Sequence, residues 1–147
     1  MNVDVVTEIV IDRPVDVVAS YACDPSNAPN WYDNIKSVRW ENEPPAQVGS
    51  MVAFVAHFLG RRLSYTYEIV VLNPGERLVM RTAQGQFPME TTYTFASTTS
   101  GGTHLTLSNV GSPSGFSKLV APLMAKAMRK ANNKDLAKLK RLLETTF

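Results

Sequence analysis

The hydrophobic periodicity of the chain changes once, from strand-like to helical, after about residue 110. Before that point, short segments rich in Val, Ile, Thr, Tyr and Phe alternate with turn residues at close intervals. After it, one seam follows helical spacing to the end of the chain: Ala121, Ala125, Met128, Asn132, Leu136, Leu139 and Leu143. A sheet with one apolar face and one long amphipathic helix can bury these surfaces against each other. The pattern therefore predicts a sheet that wraps around the helix.

Seven extended segments are predicted, and each is bounded by turn chemistry. The first, Val3–Ile11, ends at Asp12-Arg13-Pro14, where the proline suits the first turn of a helix that runs to about Cys23. A second short helix or turn carries Asn30-Trp31-Tyr32. The later segments are residues 35–41, 48–59, 63–72, 78–83, 89–97 and 103–110. Because no helical pattern separates the last five, they predict an antiparallel meander and an α+β fold.

Length and composition fit one globular domain that spans residues 1–147. The chain has 147 residues, of which 44% are apolar and 19% charged, close to the average soluble domain. Its longest apolar runs are too short to cross a bilayer. A single cysteine cannot form an intrachain disulfide, and Asp4, Glu8 and Asp12 stand where a signal peptide needs positive charge. These features predict a cytoplasmic protein.

Charge is distributed unevenly along the chain. Residues 1–117 hold seven basic and eleven acidic side chains, whereas residues 118–147 hold eight basic and two acidic ones. This asymmetry is typical of the solvated face of an amphipathic helix, and it leaves open an interaction module that meets a protein, an anionic lipid or RNA. Because no aromatic side chains interleave with the lysines, no specific nucleic-acid binding is expected.

Six short stretches carry a pattern that one known superfamily shares: residues 11–18, 24–32, 48–50, 67–74, 102–107 and 136–143. In order and in local sequence the chain resembles the START-like helix-grip superfamily (SRPBCC), in particular its polyketide cyclase/dehydrase branch. The likeness extends from Val3 to Leu143. It implies a strongly curved antiparallel sheet of about seven strands around a long C-terminal helix, with two short helices after the first strand. It also implies a cavity for a largely apolar small molecule, but no catalytic set, because fold alone does not give function.

Strand alternation selects the side chains that face such a cavity. In the fourth segment Leu63, Ile69 and Val71 share the inward face with two of the tyrosines. The predicted ligand-binding residues are Trp31, Phe54, Phe58, Tyr65, Tyr67, Met80, Met89, Tyr93, Asn109, Met124, Met128 and Asn132. Trp31 has two interpretations, because it either caps the cavity mouth or anchors the short helix to the sheet.

The inward face of the third segment is ambiguous. If Leu59-Gly60-Arg61-Arg62 forms the hairpin, Phe58 pairs with Leu63, and both Phe54 and Phe58 point inward. A shift of one residue would reverse the faces and bring His57 inside. The first register is preferred.

The helix seam is small or flexible in its first half, where Ala121, Ala125 and Met128 lie, and bulky in its second half. Alanine leaves room and methionine adapts its shape, so the cavity is expected over the first half of the helix. Asn132 is the one polar residue in the seam. Because a buried amide without partners is costly, it should meet Tyr67 or Tyr93, a water, or the polar end of a ligand.

No metal site or cofactor is predicted. His57, His104 and Cys23 have no short spacing between any two of them, whereas a metal site needs clustered ligands. Neither a glycine-rich dinucleotide loop nor a Walker sequence is present. Gly111-Ser112-Pro113-Ser114-Gly115 is interpreted as a turn before the helix, since proline occupies the position of the nucleophilic serine in an elbow motif.

The sequence therefore predicts a monomer or weak homodimer that binds an apolar or amphipathic small molecule, either lipid-like or polyketide-like and aromatic. Ring compounds and fatty acids are the expected ligand types. One alternative is a cofactor-independent cyclase or dehydratase, with Tyr65, Tyr67 or Tyr93 as proton donors and Asn109 or Asn132 polarising a carbonyl. The second alternative is an interaction module that uses the basic helix, including peripheral membrane contact.

Overall fold

The sheet and the long helix are both present in the computed structural model, which describes residues 3–85, 88–111 and 121–146. The strands are β1 (Val3–Ile11), β2 (Ile35–Trp40), β3 (Met51–Phe58), β4 (Arg61–Asn73), β5 (Arg77–Gly85), β6 (Met89–Ser97) and β7 (Thr103–Gly111). They form one antiparallel sheet with the order β1-β7-β6-β5-β4-β3-β2. The predicted meander is confirmed, and it closes by pairing the first strand with the last.

Two short helices follow β1, and a long helix ends the chain. They are α1 (Val15–Ala22), a 3-10 turn at Pro25–Asn27, α2 (Ala28–Trp31) and α3 (Ala121–Thr146). The Asp24 side chain accepts a hydrogen bond from the Ser26 amide and so begins the 3-10 turn. The turn predicted at residues 111–115 lies outside the described residues except for Gly111, as does the side chain of Ala121. The predicted element order, and with it the helix-grip fold class, is confirmed.

The concave face of the curled sheet packs against the predicted seam of α3. Leu136, Leu139 and Leu143 are fully buried in the main core, and burial of each leucine stabilises the fold by about 1.5–3 kcal/mol. Toward the beginning of α3, Met124 and Met128 form a second cluster of buried side chains with Val3 and Val5 of β1. Packing at both ends of the helix therefore leaves its middle, residues 128–135, to face the space below the sheet.

Polar contacts fasten the C-terminal end of α3 to the end of β1. The Glu144 carboxylate accepts a hydrogen bond from the Asp12 amide at 2.8 Å, and this bond holds the pKa of Glu144 below its ordinary value, with help from Lys140. The Lys140 ammonium also donates to the Val10 carbonyl at 2.8 Å. Arg13 donates to the Glu144 carbonyl. The Lys140 bond occupies a backbone carbonyl of β1, at an edge of the sheet where such groups would otherwise lack a partner.

The β3–β4 hairpin turns more tightly than predicted. Phe58 pairs with Arg61, so the loop is Leu59-Gly60 alone, and Leu63 pairs with Ala56. The predicted pairing of Phe58 with Leu63 is therefore wrong by two residues. Because side chains alternate with a period of two, this even shift preserves the faces. Phe54 is buried and His57 is exposed, so the preferred inward face is the one observed.

A bulge in β4 corrects one predicted orientation. Ile69 pairs with Met80 and Val71 with Val79, which leaves Val70 as an extra residue. One inserted residue reverses the faces beyond it. The prediction that Val71 points inward is therefore wrong, and Leu72 packs against the core in its place.

The hairpin turn generates a prediction about stability. Both of its residues are left-handed, with φ of 51° at Leu59 and 74° at Gly60, and this geometry suits Asn-Gly. A leucine in this region is strained by about 1–2 kcal/mol. Leu59→Asn should therefore raise the free energy of unfolding by about 1 kcal/mol in urea denaturation. The matched control is Leu123→Asn, since Leu123 is also exposed but lies in α3; there the change should be slightly destabilising. Equal effects at both positions would contradict the argument.

Candidate functional site

A cavity of about 130 Å³ lies between the sheet, the α1–α2 segment and the middle of α3. Helix α3 contributes Met128, Ala131, Asn132 and Asp135 to its wall. The other lining side chains come from the two short helices and the strands. Aromatic and aliphatic groups dominate this wall, and a small number of polar groups interrupt it. This composition is typical of a small-molecule site.

Ten of the twelve predicted ligand-binding residues line the cavity: Phe54, Phe58, Tyr65, Tyr67, Met80, Met89, Tyr93, Asn109, Met128 and Asn132. The predicted residues that lie on strands share the cavity wall because side chains two residues apart point to the same face of a sheet. Whether these side chains bind a ligand stays a prediction.

Trp31 and Met124 do not line the cavity. The Trp31 ring is fully buried, with its centroid 4.1 Å from that of Tyr32 and 5.9 Å from that of Tyr93. It therefore anchors α2 to the sheet, while Tyr32 stands on the cavity wall. Met124 packs against Val3 and Val5, which fill the space below the first turns of α3. For that reason the cavity lies over the middle of the helix and not over its whole first half.

Three polar side chains form a hydrogen-bonded chain on the sheet wall. Thr91 Oγ1 donates to Asn109 Oδ1 at 2.8 Å, and the Tyr67 hydroxyl lies 2.9 Å from Thr91 Oγ1. Because the single threonine proton is used on Asn109, Tyr67 must be the donor to Thr91. The Tyr67 oxygen can therefore still accept a hydrogen bond. Burial raises the pKa of Tyr67 to about 12, against the lowering effect of Thr91, so its phenol is neutral.

The other tyrosines of the cavity wall and the cysteine are also uncharged. Tyr32 and Tyr93 share a hydrogen bond of 2.6 Å between their hydroxyl oxygens, and burial raises the pKa of both phenols. The Tyr65 ring stacks on Phe54 with centroids 5.5 Å apart, and burial raises its pKa as well. Burial raises the pKa of the Cys23 thiol to about 12, so this thiol is not a nucleophile at neutral pH.

Asn132 contributes an unpaired donor to the cavity. Its side chain is only 5% exposed, and its amide nitrogen Nδ2 has no hydrogen-bond partner in the described part of the chain. The predicted strand partners Tyr67 and Tyr93 bond to Thr91 and Tyr32 instead. Of the partners that the sequence suggested for the Asn132 amide, two remain: a water molecule or the polar end of a ligand.

Asp135 is the functional candidate that sequence reasoning missed. Its charge groups it with the polar face of the helix, but it is 2% exposed and lies one turn after Asn132 on the cavity wall. Its Oδ1 accepts a hydrogen bond from the Asp33 amide at 3.2 Å. One feature of the sequence indicates that Asp135 is buried. It lies beside the helix seam, three residues after Asn132 and directly before Leu136.

Burial controls the ionisation of Asp135. It raises the pKa of this carboxyl to about 6, and the nearby Asp33 carboxylate adds to the rise. The Asp33 amide, Lys138 and Lys134 act in the opposite direction. Both lysines lie 3.1 Å from the Asp33 carboxylate, which they hold as an ion pair.

Two further findings concern metals and membranes. Within residues 3–85, 88–111 and 121–146, no group of three or more His, Cys, Asp or Glu side chains could hold a metal ion. In the same residues, no helix is long and apolar enough to span a membrane.

The raised pKa of Asp135 predicts how stability depends on pH. The folded protein binds this proton more tightly than the unfolded chain, so the stability from this group is lost as pH rises through about 6. Asp135→Asn keeps an oxygen for the Asp33 amide and should raise the free energy of unfolding at pH 8 by about 1–3 kcal/mol. The gain should shrink toward pH 5 in urea titrations.

The control for that experiment is Asp4→Asn, which removes the same charge from an exposed position on β1. Its effect on stability should be small and should not change between pH 5 and pH 8. A gain from Asp135→Asn that is the same at both pH values would contradict the assigned cause.

Solved structures with the same architecture come from several bacteria. A Thermus thermophilus protein superposes with a TM-score of 0.83 at 19% identity and covers 97% of both chains. The Zhui aromatase/cyclase of Streptomyces sp. R1128 gives 0.81 at 14% identity, over 98% of this chain and 94% of the other. A START superfamily protein from Mycobacterium smegmatis gives 0.83 at 13% identity, over 98% and 99%. At these identities the likeness shows the fold.

The sequence family follows from a direct match over almost the whole chain. None of the curated proteins matches this sequence at a significant level. The profile of the family described as polyketide cyclase/dehydrase and lipid transport matches residues 2–144. With the helix-grip sheet and cavity described above, this chain belongs to the polyketide cyclase/dehydrase and lipid transport family.

Proposed function

We propose that the protein binds an apolar or amphipathic small molecule, lipid-like or aromatic, in the cavity between the sheet and α3. The observation that carries this proposal is the Asn132 amide, buried and without a partner among the described residues in an otherwise mostly apolar cavity. An orphaned buried donor costs about 1–3 kcal/mol. A ligand with a hydrogen-bond acceptor at its polar end would remove that cost.

The size and lining of the cavity support a compact ring system. An apolar cavity of about 150 Å³ takes a benzene molecule, and this one is of similar size at about 130 Å³. Phe54, Tyr65 and Tyr67 offer ring faces and edges to an aromatic ligand, since their centroids lie 5.1–5.8 Å apart in stacked, tilted and edge arrangements. Met80 and Met128 can adapt to its outline.

The relatives support the same two ligand types. The family description covers polyketide cyclases, dehydrases and lipid transport, and one structural neighbour is named an aromatase/cyclase. Of the alternatives, the interaction module would be favoured by a filled core without a cavity. The orphaned amide beside an open space favours a ligand instead.

A second candidate function is a cyclase or dehydratase, and Asp135 is the observation that favours it. A carboxyl with a pKa of about 6 is ionised at neutral pH and basic enough to act as a general base. Its carboxylate could remove a proton from a carbon between two carbonyls of a polyketide-like substrate, while the Asn132 amide hydrogen-bonds one carbonyl oxygen. The neutral tyrosines of the cavity supply no base, and the Tyr67 proton is already donated to Thr91.

The enzyme candidate predicts a clear split between binding and turnover. Asp135→Asn should lower the rate of ring closure of a linear poly-β-ketone by roughly 10²–10⁴-fold and leave binding of the cyclised product within a few-fold. Product formation is followed by absorbance and mass spectrometry. Absence of turnover by the unaltered protein would leave the binding function as the only one supported.

The binding proposal is tested at Asn132 with a matched neighbour. Asn132→Leu removes the orphaned donor, so the free energy of unfolding should stay equal or rise by about 1 kcal/mol. Affinity for an aromatic ligand with a carbonyl end should fall by roughly tenfold in calorimetric titration. Asn133→Leu makes the same change at an exposed position on α3 and should leave affinity unchanged.

Native mass spectrometry of the purified protein provides an independent check. A retained small molecule of matching size, lost in the Asn132→Leu variant, would support the proposal. A large loss of stability in Asn132→Leu with unchanged affinity would show that the amide has a structural partner and would contradict it.

A further inference from the structure

The charges around the cavity are of one sign. Among the described residues that line it there is no Lys, Arg or His, and the one carboxyl is that of Asp135. His57 is exposed on the opposite face of β3, and His104 lies 3.3 Å from Glu8 on the outer face of the sheet. The cavity therefore offers an anionic ligand no cation of its own in the described part of the chain.

The nearest cations are engaged outside the cavity. The Lys134 and Lys138 ammonium groups each lie 3.1 Å from a carboxylate oxygen of Asp33. Neither lysine lines the cavity, whereas Asp135, on the same helix, does. A ligand inside the cavity would consequently meet the carboxylate before either ammonium group.

Asp135 and Asn132 present opposite hydrogen-bonding character side by side. Residues three apart on a helix are neighbours on one face, with Cβ atoms about 5–6 Å apart. The Asn132 amide nitrogen is an unpaired donor among the described residues. Asp135 uses Oδ1 to accept from the Asp33 amide, and its second oxygen, Oδ2, is a further hydrogen-bond acceptor. One donor and one acceptor are thus available next to each other.

We propose that the cavity selects neutral ligands whose polar end carries an acceptor beside a donor, and that Asp135 excludes carboxylates and phosphates of the same shape. This inference rests on the proposed binding function. A carbonyl oxygen of the ligand would accept from Asn132, and its adjacent N–H or O–H would donate to Asp135. Primary carboxamides and hydroxy ketones have this pattern. An ionised fatty acid or a phosphate ester does not, because it has no donor and its charge repels the Asp135 carboxylate.

The isosteric pair benzamide and benzoate, with one ring to match the size of the cavity, tests this selection directly. The two compounds share one ring system and one outline, and they differ in charge and in the donor. Calorimetric titration at pH 8 should show the carboxamide binding at least about tenfold more tightly, since a like charge within a few ångström is strongly unfavourable in a partly buried site. Asp135→Asn should improve benzoate binding by about tenfold or more and weaken carboxamide binding, because the charged acceptor of the ligand N–H is lost.

Asp4→Asn is again the matched control, because it removes one negative charge from an exposed site away from the cavity. It should change neither affinity. Circular dichroism verifies that each variant is folded, and if Asp135→Asn fails to fold, the ratio of affinities in the unaltered protein alone decides the matter.

The outcomes separate the two proposals. Equal or tighter binding of benzoate by the unaltered protein would overturn the selection and leave the binding function in place. A benzoate affinity that is unchanged in a folded Asp135→Asn variant would also overturn it. Binding of neither compound would contradict the binding function itself, and the selection with it.

Discussion

The contact between the concave sheet and the seam of α3 is the interaction on which the rest of the structure depends. Leu136, Leu139 and Leu143 close one end of this contact, and Met124 with Val3 and Val5 closes the other. Between them the helix presents Met128, Asn132 and Asp135 to a space that the protein does not fill. The cavity is therefore a consequence of where large apolar side chains are present along one helix and where they are absent.

Two polar residues in that gap give the cavity its chemical character. The Asn132 amide and the Asp135 carboxyl are both nearly inaccessible to solvent, and buried polar groups of this kind are normally paired. The Asn132 donor, which has no partner among the described residues, and the buried Asp135 charge both reduce stability, so replacement of either should keep or raise the stability of the fold. Natural proteins accept such local costs where a site must recognise another molecule. At these two positions, substitutions that raise the stability of the fold are thus expected to impair ligand recognition.

Regular periodicity made most of the fold predictable from the sequence. Alternation of apolar and polar residues predicts the bounds of β1 and β6, and helical spacing predicts which face of α3 is buried. Alternation also identifies the strand side chains that line the cavity. The deviations have local causes that periodicity cannot encode. The turn at Leu59-Gly60 requires a leucine in a left-handed conformation, and the extra residue Val70 reverses the faces beyond it. The burial of Asp135 depends on the Asp33 amide, which lies 102 residues away in sequence.

The pairing of β1 with β7 has a consequence for how the chain reaches this structure. Val3 pairs with Gly111, and Ile11 pairs with Thr103, so β1 lacks its partner until about one hundred further residues have been synthesised. Pairings this distant in sequence slow folding, because a long loop must close before any contact compensates for the lost entropy. During translation, β1 would expose Val5 and Ile11, which are fully buried in the folded protein. The nascent chain is therefore expected to present this strand to chaperones on the ribosome.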